Sequence, residues 1–340
     1  MAGPLLPRVP PRPAPSLTAQ TWAPVAYTTE VSGLTAGKTL MMPQVNLQSG
    51  FNTPYWVDEI RFTAFTATYD SSGGVQGDIS AIIRFQLQTG THFFSQAALS
   101  SPSAVPMILY APTYSGNAQY EQTSQAITNS TVRNYSTRRW VLPKPLWMPA
   151  GDIVQATVSR EAAFGSAVAS ITAQMTVIGR AVLPDTKPPP ARCIPHVGWF
   201  VHPTGAGTSV PYSQANAQFK NPFTSPWYVQ RIILNTRDQL NESNGVRTGY
   251  GLFEDPSGVS SYAQVQLFDS LGYKITGSSQ GGYVPLADVA SAVNDASWTF
   301  GRPLPPGENY NANFRIVAGS ADTTVFSPMI SFVGYREELS

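Results

Sequence analysis

The hydrophobic pattern of this chain is a succession of short apolar runs separated by turn-forming residues. Three clear runs are ISAIIRFQLQ at residues 79–88, IVQATVS at residues 153–159 and SITAQMTVIG at residues 170–179. They are rich in β-branched residues and partly alternate between apolar and polar positions, which is typical of β-strands. Gly, Pro, Asn and Ser cluster between the runs. The only weak helix candidate is AQYEQTSQAI at residues 118–127, so the pattern predicts an all-β protein.

One aromatic stretch occurs twice. FNTPYWVDEIRF at residues 51–62 aligns without a gap on FTSPWYVQRIIL at residues 223–234. Phenylalanine, proline, valine and isoleucine match at four positions, and the pair Tyr-Trp falls on its reverse, Trp-Tyr. One such match could arise by chance, so the order of the flanking segments decides whether the chain is duplicated.

The flanking segments repeat in the same order. Trp140 and PLWMPAGD (145–152) correspond to Trp298 and PLPPGE (303–308), and each half closes on an apolar run that ends in glycine, MTVIG (175–179) and MISFVG (329–334). Pro followed by Gly and an acid predicts a tight turn that leads into the next strand. A period this long excludes a solenoid of small units. The sequence therefore predicts two domains of one design, related by internal duplication.

The duplication sets the domain boundaries. Residues 1–21 are a proline-rich N-terminal arm, residues 22–182 the first domain, residues 183–195 a proline-rich linker and residues 196–340 the second domain. Three consecutive prolines make the linker a stiff spacer. The arm is either a disordered tail or a segment that orders against a neighbouring subunit. Its composition does not separate these alternatives.

Composition narrows the classes of partner. Charged residues make up 12% of the 340 residues, about half of the ~25% usual in soluble proteins, and the net charge is +1. Extensive nucleic-acid contact needs rows of cations, which the chain lacks. The low charge is compatible with a neutral polar surface or with a surface that meets other protein. The single cysteine, Cys193, excludes an intrachain disulfide framework.

Chemistry-bearing motifs are absent from the sequence. The three histidines, His92, His196 and His202, have no partner at a metal-binding spacing, although the last two would face one side of a strand and could form a weak site. No Walker loop, GxGxxG, GxSxG or HExxH is present. Asp58-Glu59 aligns with Gln-Arg in the second domain, so we interpret it as a solvated acidic pair. We predict no enzyme, no catalytic, cofactor-binding or metal-ligating residues, and no cofactor.

The paired blocks FNTPYWVDEIRF and FTSPWYVQRIIL, with PLWMPAGD and PLPPGE, give the chain an architecture that resembles the double-jelly-roll major capsid proteins of tailless icosahedral phages and adenovirus-type viruses. The resemblance implies two tandem eight-stranded jelly-roll β-sandwiches. It also implies homotrimers with six barrels and a pseudo-hexagonal outline, which tile an icosahedral shell. The implied location is the virion, after synthesis in the host cytoplasm.

The same resemblance implies partners and surfaces. The partners would be further copies of the chain, other virion proteins such as penton or minor capsid proteins and, through the N-terminal arm, an internal membrane, with no sequence-specific nucleic acid. The insertions at residues 105–140 and 235–262 would be loops at subunit contacts or on the outer surface.

Two other classes of function compete with a coat subunit. One is a phage decoration, spike or tail protein that binds a receptor or glycan, for which exposed loop tyrosines (Tyr110, Tyr114, Tyr120, Tyr135) would provide stacking surfaces. The other is a hydrolase built on a β-sandwich, with a catalytic group assembled from distant residues.

Overall fold

The computed structural model describes fifteen stretches of the chain: residues 23–43, 53–66, 82–90, 92–97, 103–111, 135–161, 170–183, 186–201, 212–239, 246–248, 263–276, 282–285, 297–299, 303–317 and 325–339. These residues form strands and turns, with a single 3₁₀ turn at Met107–Leu109. The all-β prediction is confirmed for this part of the chain. The predicted arm, the helix candidate and most of both predicted loop insertions lie outside it.

Ten strands belong to the first half of the chain: β1 (Ala23–Leu34), β2 (Thr39–Met41), β3 (Tyr55–Thr66), β4 (Ile83–Thr89), β5 (His92–Phe93), β6 (Ser95–Ala97), β7 (Val105–Pro106), β8 (Tyr135–Met148), β9 (Gln155–Arg160) and β10 (Ile171–Ala181). Strands β1, β10, β3 and β8 form one sheet in that order. Strands β2, β9, β4 and β5 form the second sheet, with β7 also paired to β4.

Ten further strands belong to the second half: β11 (Ala191–Val201), β12 (Tyr212–Lys220), β13 (Trp227–Gln239), β14 (Val246–Thr248), β15 (Ala263–Asp269), β16 (Val284–Pro285), β17 (Ser297–Thr299), β18 (Pro303–Leu304), β19 (Asn309–Val317) and β20 (Val325–Leu339). One sheet runs β11-β20-β13, with β17 and β18 on the far side of β13 and β14 at its end. The other sheet runs β12-β19-β15-β16.

The two halves have the same strand order. The first, second and third strands of β1-β10-β3-β8 correspond to β11, β20 and β13, and the short strands β17 and β18 together occupy the place of β8. The predicted alignment of the two tryptophans holds in the pairing, because Trp140 pairs with Ile60 and Trp298 pairs with Ile232. This repeated strand order is what the predicted duplication implies.

A β-bulge marks the same position in both halves. Register shifts at Asp58, between its neighbours Val57 and Glu59, and at Gln230, which the sequence alignment places on Asp58. At each bulge the strand on the other side contributes a glycine, Gly179 in the first half and Gly334 in the second. Bulges raise the local twist, so we expect both sheets to bend at the shared position.

The predicted proline-glycine turns are present. The amide of Asp152 donates a hydrogen bond to the carbonyl of Pro149 (3.1 Å), and that of Glu308 donates to Pro305 (3.2 Å). Each turn places its glycine at positive φ, which glycine adopts without steric cost. Strands β9 and β19 follow these turns, as the sequence predicted.

Aromatic side chains fill the space between the sheets of each half. In the first half, Phe62 packs on Phe85 and Tyr110 with ring centroids 4.7 and 4.6 Å apart. In the second half, Phe332 packs on Phe219 at 4.5 Å and on Tyr310 at 5.2 Å. Fully burying one such side chain stabilises the fold by roughly 1.5–3 kcal/mol, so these clusters contribute substantially to both cores.

The predicted linker is shorter in the structure than in the sequence analysis. Strand β11 begins at Ala191, so residues 191–195 belong to a strand, and Pro195 pairs opposite Tyr335. Proline is tolerated there because β6, the other neighbour of β11, pairs only with Val197–Trp199 and leaves the Pro195 nitrogen without a required partner.

Candidate functional site

A strand from the first half extends a sheet of the second half. Strand β6 pairs in parallel with β11, with Ser95 opposite Val197, and the Val197 amide donates a hydrogen bond to the Phe94 carbonyl (2.8 Å). The order of the second-half sheet is therefore β14-β13-β20-β11-β6. We call the surface that the two halves bury against each other the junction.

The centre of the junction is apolar. Alternate residues of the second-half sheet face away from its own core and join the core of the first half: Val197, Trp199, Ile233, Met329 and Val333. Opposite them lies the 3₁₀ turn Met107–Leu109, whose Leu109 carbonyl accepts a hydrogen bond from Ser331 Oγ (2.7 Å). Apolar burial of this kind favours a fixed arrangement of the two halves.

Trp199 occupies one side of the junction. Its Nε1 donates to Ser103 Oγ (3.1 Å), and the Arg84 guanidinium carbon lies 5.2 Å from the ring centroid. A buried tryptophan with its N–H satisfied and a cation over its face is an effective anchor between two surfaces.

The end of the junction where β11 begins is polar. Arg192 donates to the Trp147 carbonyl (2.8 Å) and to Asp152 Oδ2 (3.0 Å), so a second-half arginine is held by two first-half groups. Arg336 donates to His92 Nδ1 (3.2 Å) and also forms an ion pair with Glu338. Charge-assisted bonds of this kind are directional and fix the relative placement of the halves.

His92, one of the predicted isolated histidines, therefore lies in the junction. Burial lowers its pKa below the usual value; Glu338 opposes this shift, while Arg336 acts in the same direction as burial.

His196 is buried between aromatic residues of the second-half core and the backbone of Phe93 in the first half, to which its ring is hydrogen-bonded. Its ring meets Phe223 and Trp227 edge-on, with centroids 4.7 and 5.1 Å apart. Burial, with Arg336 second, lowers the pKa of His196 to about 3. The weak histidine metal site considered above would need His202, which lies outside the described residues. Across the described stretches, no group of three or more His, Cys, Asp or Glu side chains has an arrangement that could hold a metal ion.

The outer face of the first-half sheet is equivalent to the junction face of the second half, but it is polar. Thr28 and Thr176 share a hydrogen bond across β1 and β10 (2.8 Å). Glu59 lies between Arg61 and Arg139, with its Oε2 2.7 Å from Arg139 Nη2. The sequence interpretation of Glu59 as solvated was wrong, because only 7% of its side chain is exposed beneath the two arginines. Its neighbour Asp58 pairs with Arg180.

The loop-tyrosine hypothesis fails at one of its four residues. Tyr110 is 1% exposed, packs against Phe62 and Trp140, and donates its hydroxyl proton to the Phe85 carbonyl (2.8 Å). Burial raises its pKa well above the usual value. Tyr110 is therefore a core residue. Tyr135 begins β8, while Tyr114 and Tyr120 lie outside the described residues.

Several large apolar side chains are exposed at positions that the sequence did not single out. Six large ones stand out among the described residues: Tyr27, Met41, Val141, Leu183, Leu271 and Tyr273. Leu271 and Tyr273 lie together in the turn after β15. Their only sequence signal was an apolar pair flanking the glycine of an otherwise polar turn. Among the described residues no helix has the length and apolar character needed to cross a membrane.

Comparison of the sequence with family models gives no match, and neither does comparison with curated proteins. Comparison of the structure gives matches to virus capsid proteins. The quasi-atomic model of the PBCV-1 virus capsid has a TM-score of 0.50 at 9% identity, and the match covers 93% of this chain and 95% of that one. The resemblance to double-jelly-roll major capsid proteins is confirmed at the level of the fold.

Two further matches are to virus structures with slightly lower TM-scores. The crystal structure of the STIV MCP has a TM-score of 0.49 at 10% identity, covering 92% of this chain and 96% of that one. The atomic structure of Sulfolobus Turreted Icosahedral Virus has a TM-score of 0.49 at 12% identity, covering 92% and 90%.

Proposed function

We propose that this chain is the major capsid subunit of an icosahedral virus, and that its role is structural and without catalysis. The observation that carries the proposal is the strand order shared by the two halves, together with a full-length likeness to the PBCV-1 capsid fold. Catalysis does not require two β-sandwiches of the same design in one chain. A subunit that packs side by side with its copies benefits from them, because they give it two similar but non-identical lateral surfaces.

In this proposal each half is an eight-stranded jelly roll. The sheets β1-β10-β3-β8 and β2-β9-β4-β7 form the first, with the two-residue β5 as an addition, and the sheets β11-β20-β13 and β12-β19-β15-β16 form the second, with β17 and β18 counted together as one strand. The domain limits stay those of the sequence analysis, except that the linker ends before Ala191. The two jelly rolls stand side by side because the junction fixes them.

Three copies would then form a ring of six barrels that tiles a hexagonal position in the shell. Low overall charge favours such a role, because many copies can pack without strong summed repulsion. The N-terminal arm would contact a neighbouring subunit or an inner layer such as a membrane, and penton or minor capsid proteins would complete the shell. Synthesis would take place in the host cytoplasm.

The competing proposal of a receptor-binding spike or decoration protein has lost one of its four predicted stacking residues, because Tyr110 lies in the core. It retains no specific observation in its favour among the described residues.

Assembly tests the proposal directly. Purified protein should have three times the subunit mass by size-exclusion chromatography with light scattering, and negative-stain images should show particles with a hexagonal outline. The chain should be the most abundant protein of the virion. A strict monomer at high concentration, or a few copies per particle, would contradict a major capsid role.

A further inference from the structure

The hairpin that follows β4 in the first half has a counterpart that follows β15 in the second half. In the first hairpin Thr89 pairs with His92. In the second the Asp269 amide donates a hydrogen bond to the carbonyl of Tyr273 (3.1 Å). One step further along, the Phe94 amide donates to Leu87 (2.9 Å) as that of Ile275 donates to Leu267 (2.8 Å). Tyr273 therefore occupies the position of His92.

The strand that His92 contacts also has a counterpart. His92 reaches the end of β20 in the second half, where it meets Arg336 and Glu338. Gly334 corresponds to Gly179, as the shared bulge shows. Counting on from these glycines, the position of Glu338 corresponds to Leu183, just beyond the end of β10 in the first half.

Within the chain, the hairpin after β4 contacts the end of β20. The equivalent contact, between the hairpin after β15 and the end of β10, is not made. The first-half hairpin lies against the end of the second-half sheet, whereas the second-half hairpin and the end of the first-half sheet are both solvent-exposed. Leu271 is 77% exposed, Tyr273 66% and Leu183 51%. These are half of the large apolar side chains exposed in the described part of the chain. All three lie at the positions that would touch if a second copy of the chain packed against this one in the way that its own two halves pack together.

The second-half hairpin is built to hold its apolar residues outward. Asp269 is 2% exposed, and its Oδ1 accepts hydrogen bonds from the amides of Leu271 (3.0 Å) and Tyr273 (2.8 Å). Gly272 between them has a φ of 76°. A turn fixed in this way loses little conformational entropy when it binds, which favours association.

The neighbouring surfaces fit the same arrangement. The junction face of the second-half sheet is apolar and covered by the first half, while its counterpart on the first half, with Thr28, Thr176, Arg61 and Arg139, is polar and faces outward. Strand β11 pairs with β20 on one side and with β6 on the other. Its counterpart β1 pairs only with β10 among the described strands. A surface that must remain soluble before assembly is expected to be more polar than one buried during folding.

We propose that the turn bearing Leu271 and Tyr273 docks on Leu183 of a second copy of this chain, so that the contact between copies repeats the junction within the chain. This inference rests on the proposed capsid function and names the partner surfaces. The interface is heterologous, because turn and acceptor lie on different surfaces. Such an interface closes into a ring of three chains if each of the six barrels is rotated by one sixth of a circle relative to the barrel before it.

Site-directed cross-linking tests the contact. In a Cys193→Ser background, which removes the only cysteine, Leu183→Cys is combined with Tyr273→Cys, and the protein is oxidised and analysed without reductant. A disulfide requires Cα atoms about 4.4–6.8 Å apart, so cross-links report close approach. We expect a ladder of covalent dimers and trimers that stops at trimer. The matched control pairs Tyr273→Cys with Val141→Cys, an exposed site on the edge strand β8 of the same sheet, and should give at least tenfold less product.

Light scattering on the uncross-linked protein separates the two levels of the proposal. Trimers without the specific cross-link would overturn the docking contact and leave the capsid role standing. Monomers alone would overturn both. Equal cross-linking in the control would also overturn the contact. As a second measurement, Leu271→Asp should raise the concentration for half-assembly at least tenfold while leaving the thermal unfolding midpoint of the subunit unchanged. Unchanged assembly in this variant would contradict the proposal.

Discussion

Gly179 and Gly334 face the same point of the neighbouring strand in their respective halves. A Cβ atom added to Gly179 would lie 1.9 Å from the carbonyl oxygen of Trp56, and one added to Gly334 would lie 2.0 Å from that of Tyr228. Trp56 and Tyr228 are aligned in the sequence repeat. Both halves therefore have the same close backbone contact and the glycine that permits it. Each glycine lies opposite the residue that precedes the bulge.

Replacing either glycine with alanine should therefore destabilise the half that contains it. The added methyl group meets backbone rather than a flexible side chain, and we expect a loss of about 3 kcal/mol or more in the free energy of unfolding. Urea unfolding of Gly179→Ala and Gly334→Ala measures it, with soluble yield as the readout if a variant fails to fold.

Gly151→Ala is the matched control. A Cβ there meets no atom within 4 Å, and only the positive φ of 91° opposes the substitution. The cost should be about 1–2 kcal/mol. A Gly179→Ala protein as stable as this control would show that the strands separate readily at the bulge and that the close approach is not required.

The duplication could be predicted from the sequence because its signals are large residues at strand positions. Trp140 and Trp298 align in the sequence repeat, and both pair with an isoleucine of the repeated stretch. The bulge at Asp58 could not be predicted, because any residue can occupy it. The glycine opposite was visible, but a glycine that ends an apolar run also fits a turn.

Tyr110 is expected to act through stability rather than binding. Its hydroxyl is buried and hydrogen-bonded to Phe85, so Tyr110→Phe removes a buried bond and should cost about 1–2 kcal/mol in the free energy of unfolding. Tyr273→Phe, at an exposed position, should leave subunit stability within about 0.5 kcal/mol of wild type. Glycan-array binding lost in Tyr110→Phe without a change in stability would restore the loop hypothesis for this residue.

The ion pair between Arg192 and Asp152 is expected to stabilise the junction. The Arg192 side chain is 17% exposed and also donates to the Trp147 carbonyl, so removing it takes a donor from that carbonyl and the counter-charge from Asp152, whose side chain is 33% exposed. Arg192→Met should cost about 2–3 kcal/mol, with a coupling of about 1 kcal/mol to Asp152→Asn in a double-mutant cycle.

Arg180 and Asp58 provide the comparison for that cycle. Their pair lies within the first half, and both side chains are more exposed than Arg192, at 40% and 33%. Exposed pairs contribute little, so this cycle should give a coupling below about 1 kcal/mol. If the two cycles gave the same value, the junction pair would have no special structural role.

The junction was hidden from the sequence for a physical reason. Strand β6, Ser95–Ala97, is three residues long, which is too short to show the alternation of apolar and polar residues that predicts a strand. Its parallel partner β11 contains Pro195 and follows three prolines, which together indicated a linker. Pairing between distant segments depends on the placement of whole domains, and local propensity does not encode it.

His196 should make the protein sensitive to acid. Its folded pKa of about 3 lies below the unfolded value of about 6.5, so the unfolded state binds a proton more readily between these values. The contribution of His196 is therefore complete above pH 6.5, falls by about 1.4 kcal/mol per pH unit as the pH drops towards 3, and stays constant below that. Burial among Phe223 and Trp227, with Arg336 nearby, is the cause. Carboxylates that lose their partners in acid act in the same direction, so His196 must be isolated by substitution.

His196→Gln isolates it, because glutamine keeps a polar side chain of similar length that does not titrate. Chemical unfolding of both proteins at intervals from pH 7 to pH 4 should show the wild type losing stability relative to the variant as the pH falls, with the difference between them changing by about 1.4 kcal/mol per unit below pH 6. The sign is decisive, since a histidine held by acidic partners would gain stability on acidification. Parallel curves for the two proteins would mean that the His196 ring is reached by solvent and protonated in the folded state.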